Sequence, residues 1–166
     1  MRKLFGICAG AAAFFLLSGS AFAQTVTMHA TLNGGEETPG VVLTGAVGTV
    51  EVAIDATNRE VAVTLRVFNI PEGAATTAGH FHVGAKGAGG PVVLNFPSSI
   101  AGRTGDFTMS FRLSTASFVA RPAQGINTID DMIQAMVAGN AYANVHTTVN
   151  PGGEIRGQLL SGGLTP

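Results

Sequence analysis

The strongest constraint on what this chain can fold into is a period of two. Val50, Val52 and Ile54 alternate with Thr49, Glu51 and Ala53; the turn formers Asp55-Ala56-Thr57-Asn58 follow, and Val61, Val63, Leu65 and Val67 resume the alternation. Successive side chains of a strand point to opposite faces, so each such run buries one face, and two runs joined by turn residues form a hairpin. The rhythm recurs where Val26, Met28, Ala30 and Leu32 alternate with Thr25, Thr27, His29 and Thr31, and where Phe107, Met109, Phe111 and Leu113 alternate with Thr108, Ser110 and Arg112. Further strands are expected over Thr76 to Val83, Val92 to Phe96, Ala141 to Thr147 and Glu154 to Leu160. They are separated by glycine-, proline- and asparagine-rich breaks near Gly34, Pro71, Gly84 to Gly90 and Pro151. Many short strands with frequent turns define an all-β class, a β-sandwich or barrel.

One segment departs from this rhythm. Thr128 can cap a helix, Asp130 favours its positive end, and Ile129, Met132, Ile133 and Met136 recur at three- and four-residue spacing before Gly139. The spacing predicts one short helix in a connection, near Ile129 to Ala138. Its methionines read as packing residues, with a methionine copper box as the sharper alternative.

Residues 1–23 have the layout of an export signal: Arg2 and Lys3, an apolar run from Leu4 to Leu17, and Ala21-Phe22-Ala23 at the cleavage positions. The apolar run is shorter than the roughly 20 residues a spanning helix needs. The expectation is a mature chain beginning at Gln24, periplasmic or secreted, without a stable membrane anchor, with residues 24–166 forming a single domain. Cys8 is the only cysteine, so a mature chain has neither disulfides nor thiolate ligands. Nine Lys and Arg stand against ten Asp and Glu, and losing Arg2 and Lys3 makes the balance more acidic, so no nucleic-acid footprint is expected.

The chemistry-bearing residues are histidines. In Gly79-His80-Phe81-His82-Val83-Gly84 an extended backbone puts His80 and His82 on one face and Phe81 and Val83 on the other. His146 shares the polar parity of Tyr142 and Asn144 in a second strand. Three imidazoles on one ion suit copper or zinc and leave a position open to water or substrate. Their nitrogens would then lie within roughly 3 to 4 Å of one another, and binding should weaken as pH falls through about 6.5. The ordinary alternative is that these histidines hydrogen-bond nearby backbone and loop groups. His29, on the polar side of its strand, reads as a solvated side chain. Glu154 and Arg156 share a face of the last strand and read as a device pinning the Pro151 to Gly153 turn. No nucleophile motif of the Gly-x-Ser-x-Gly type is present.

These motifs together resemble the chordin-type (CHRD) domain. The resemblance is carried by Glu37-Thr38-Pro39 before Gly48-Thr49-Val50, by His80-Phe81-His82-Val83-Gly84 with Gly90-Pro91-Val92-Val93, and by Gly139-Asn140-Ala141-Tyr142-Ala143-Asn144-Val145-His146-Thr147 running into Pro151-Gly152-Gly153-Glu154-Ile155-Arg156-Gly157-Gln158. It implies an immunoglobulin-like β-sandwich in a secreted or periplasmic module, and for a single-module chain no particular reaction. A narrower similarity is to copper-zinc superoxide dismutase, another β-sandwich, whose copper takes a His-x-His pair and a later strand histidine; His80, His82 and His146 match those positions in order. Nothing here matches its bridging histidine or zinc ligands. Three function classes follow: a module binding an extracytoplasmic protein or surface, a periplasmic copper- or zinc-handling protein, and a superoxide-type metalloenzyme.

Overall fold

The computed structural model describes residues 25–162; the export segment expected at 1–23, with Cys8, lies outside the described residues. The strands are β1 (Thr25–Asn33), β2 (Val47–Asp55), β3 (Glu60–Phe68), β4 (Thr76–Val83), β5 (Val92–Asn95), β6 (Phe107–Leu113), β7 (Ala141–Thr147), β8 (Ile155–Gln158) and β9 (Leu160–Ser161), with one α-helix, α1 (Ile129–Val137). The strands form one antiparallel sheet in the order β5-β4-β7-β8-β1-β2-β3-β6, with β9 added on β1. Phe96, just beyond β5, meets Phe81 of β4 at 4.9 Å between ring centroids and Phe111 of β6 at 5.0 Å. The two ends of the strand order therefore approach each other, and the sheet is a nearly closed barrel. The all-β expectation holds, and among the described residues α1 is the single α-helix.

The period of two does what the sequence implies. The β2–β3 hairpin pairs without a slip from Val47 opposite Phe68 to Asp55 opposite Glu60. Its inward row of Val50, Val52, Ile54, Val61, Val63, Leu65 and Val67 is buried in the common core. At the start of α1 the Thr128 hydroxyl accepts from the Asp131 N–H, while the Asp131 carboxylate accepts from the Thr128 N–H at 2.8 Å, a reciprocal capping box. Met132 and Met136 are fully buried, as packing residues should be. Among the described residues no helix is long and apolar enough to cross a membrane.

One element differs from its expectation. The run Glu154 to Leu160 divides into β8, which lies between β7 and β1 and pairs with both, and β9, which pairs with β1. Buried Leu159 stands between them, its N–H donating to the Ala141 carbonyl at 2.9 Å. Gly157 lets β8 lie close against β1. A Cβ at Gly157 would stand 2.2 Å from the Thr31 carbonyl oxygen, a distance no side chain tolerates.

Candidate metal centre

β4 and β7 pair so that Ala78 lies opposite His146, His80 opposite Asn144 and His82 opposite Tyr142. All six side chains therefore project from the outer face of this part of the sheet, away from Phe81 and Val145. Register shifts between Thr76 and Ala78, and between Phe81 and His82 on the β5 side, are bulges of the kind that re-aim side chains. The result brings the three sequence-predicted histidines together: one ligand nitrogen from each lies within 4.8 Å of the others. His29 is elsewhere, exposed on β1 opposite Glu51.

The closest contact is His80 Nδ1 to His146 Nε2, 3.1 Å. Two nitrogens bound to one ion at about 2.0–2.1 Å each stand roughly 3.3 Å apart, so this pair is already at chelating distance. His82 stands further out, its ring centroid 5.6 Å from that of His80 and 6.3 Å from that of His146. The triangle is thus wider than the 3 to 4 Å expected, because His82 is held by other groups. Its Nδ1–H donates to the Gly90 carbonyl at 2.9 Å and its ring stacks on Tyr142 at 4.7 Å and 7°. His146 likewise donates Nδ1–H to the Pro151 carbonyl at 3.0 Å. Carbonyl acceptors on the remote nitrogen are how metal-ligating imidazoles are usually oriented. Both assignments leave Nε2 as a lone pair, and His82 Nε2 is buried with no hydrogen-bond partner.

The histidines stand at the edge of a buried polar layer that sequence reasoning missed. Every residue of β7 except His146 is buried, so both faces of that strand are covered. The cover is the β1–β2 connection and the glycine-rich loop after β4. Arg156, 2 % exposed, donates to the Thr38 hydroxyl and to the Ala88 carbonyl at 2.7 Å. Its guanidinium carbon sits 3.5 Å from the centre of the Tyr142 ring, a cation–π contact. Asn144 donates to Glu37 at 3.2 Å and Gln158 to the Gly84 carbonyl at 3.0 Å. Fully buried Glu154 accepts from the Thr44 hydroxyl, from Thr147 at 2.7 Å and from Asn150 at 2.7 Å. Glu154 thus pins the turn before β8, as expected, whereas Arg156 reaches away from that turn and holds the two covering loops. The available sequence signal was polar parity shared by Tyr142, Asn144, Arg156 and Gln158, but parity alone does not distinguish a solvated face from a covered one.

Charge in this layer is distributed unequally. Glu154 has three hydrogen-bond donors. Glu37 has one donor, and its Oε1 is unpartnered, as is Asn144 Oδ1. Burial pushes the Glu37 carboxyl up to about 7, against the pull of Asn144 and Arg156. Among the histidines, burial pulls His80 and His82 down to about 4, with the neighbouring imidazoles adding to the effect, and lowers His146 too. All three imidazoles are therefore neutral at pH 7, the form that ligates a metal. The pH at which protons compete for the site therefore lies below the expected 6.5.

The molecule is thus an all-β barrel-like sandwich with a three-imidazole cluster at the rim of a covered polar layer. A family model of the CHRD domain matches residues 28–159, and the chain belongs to the CHRD domain family. No curated protein and no solved structure matches it.

Proposed function

We propose that this chain is an exported CHRD-domain binding module that holds a single transition-metal ion, copper or zinc, on His80, His82 and His146. The observation that carries the reading is the convergence of one nitrogen from each histidine within 4.8 Å. Two of the three rings, moreover, donate Nδ1–H to backbone carbonyls, which leaves Nε2 as a lone pair. Three neutral nitrogens favour zinc or copper over magnesium or calcium, which take oxygen donors. His80 and His146 are only half-buried, so an ion held here keeps a coordination position facing solvent, open to water or to a donor group of an extracytoplasmic protein or surface. Export is supported by the basic start, apolar run and small-residue cleavage positions of residues 1–23.

Calorimetric titration of the purified protein with copper and with zinc tests the site. Single alanine substitutions at His80, His82 and His146 should each lower affinity by more than about tenfold, while His29→Ala leaves it unchanged. The reading fails if wild-type protein binds neither ion, or if binding survives all three substitutions.

A further inference from the structure

His82 is the most buried of the three histidines, 8 % exposed, and its Nε2 has no partner. What sets its ring must therefore lie on its other side, and both contacts there lead to Tyr142. The rings of His82 and Tyr142 are nearly parallel, 7° apart with centroids at 4.7 Å. The Tyr142 hydroxyl donates to the Gly90 carbonyl at 3.1 Å and accepts from the Gly90 N–H at 3.0 Å. That carbonyl is the acceptor of His82 Nδ1–H. β7 lies between β4 and β8, so Tyr142 has His82 on one side and the Arg156 guanidinium on the other.

From this arrangement we infer that Tyr142 is the positioning residue of the three-histidine site: its ring fixes the plane of His82, and its hydroxyl fixes the carbonyl that selects the His82 tautomer. The inference rests on reading the cluster as a metal site. With the proton on Nδ1, the buried, unpartnered Nε2 is the nitrogen left with a lone pair for an ion shared with His80 and His146. The opposite tautomer would turn the Nδ1 lone pair against the Gly90 oxygen and bury an N–H where the ion belongs. Arg156 closes the far face of the ring and, through the Ala88 carbonyl, ties down the loop that carries Gly90. Tyrosine performs both tasks. Phenylalanine would keep the stack and lose the grip on Gly90.

The test uses Tyr142→Phe and wild-type protein labelled with 15N at histidine. Imidazole nitrogen shifts in metal-free protein report the His82 tautomer, zinc titration reports affinity, and the denaturation midpoint reports stability. Wild-type His82 should be in the Nδ1–H form; in Tyr142→Phe the two tautomers should mix and zinc affinity should fall about tenfold. A residue that merely stabilised the fold would move the midpoint and leave the tautomer alone. The inference is overturned if wild-type His82 carries its proton on Nε2, or if Tyr142→Phe keeps the single tautomer and binds zinc within about threefold of wild type. Wild-type protein that takes no zinc would overturn the metal reading itself, whereas normal wild-type binding beside an unaffected variant overturns only the assignment to Tyr142.

Discussion

Arg156 carries a cation into the interior and is held there by a hydroxyl, a carbonyl and an aromatic face rather than by a direct ion pair. Removing it strips a charged donor from the Thr38 hydroxyl and the Ala88 carbonyl and takes the cation off the Tyr142 ring. Arg156→Ala should therefore destabilise the protein by about 3 kcal/mol, seen as a lower denaturant midpoint; an unchanged midpoint would contradict the role. Glu37 makes the complementary prediction. Its folded-state value of about 7 lies above the ordinary 4.5, so the folded state holds this proton more tightly than the unfolded chain. The stability it contributes is complete below about 4.5 and is lost as pH rises through about 7. Glu37→Gln, which keeps shape and cannot ionise, should gain stability relative to wild type as pH rises from 5 to 9. Midpoints measured across that range that run parallel would show that Glu37 carries no proton.

At the scale of elements, α1 is closed at its start by the Thr128–Asp131 box. Thr128→Ala should cost about 1 kcal/mol without changing metal affinity, since the cap contributes no group to the histidine cluster; equal stability of the two proteins would contradict it. The strands and this helix were legible because each has an apolar stripe of unmistakable period and a stop signal at its end. The split of the last strand was not. Ile155, Gly157 and Leu159 continue one alternation, and nothing in it marks where the run stops pairing with β7 and goes on against β1 alone. The histidine trio was legible by parity, because β4 and β7 each carry histidine on the polar row. The covering of that row was not legible, since Glu37, Thr38 and Ala88 come from irregular segments whose periodicity says nothing about where they lie. Gly153 is one sign of that cover: a Cβ there would stand 2.5 Å from the Glu37 carboxylate.

In the whole molecule the curled sheet places the apolar core inside and a second, polar interior between the sheet and its loops, with the histidines where that interior meets solvent. The two titrating systems oppose each other. His80 and His82, at about 4, and His146, also lowered, stay neutral in the folded protein while the unfolded chain takes up protons below about 6.5. Their contribution is present above 6.5 and is lost as pH falls toward 4. Glu37 acts in the opposite sense between 4.5 and 7, but it is one group against three. Metal-free protein should therefore lose stability on acidification from pH 6.5 to 4, and a midpoint that rises over that interval would contradict the account. The most direct measurement of the central claim is X-ray absorption of the copper- or zinc-loaded protein. Three imidazole nitrogens at about 2.0–2.1 Å, falling to two in His80→Ala, His82→Ala or His146→Ala, are the predicted result; fewer than three in the wild type, or a spectrum indifferent to all three substitutions, would contradict it.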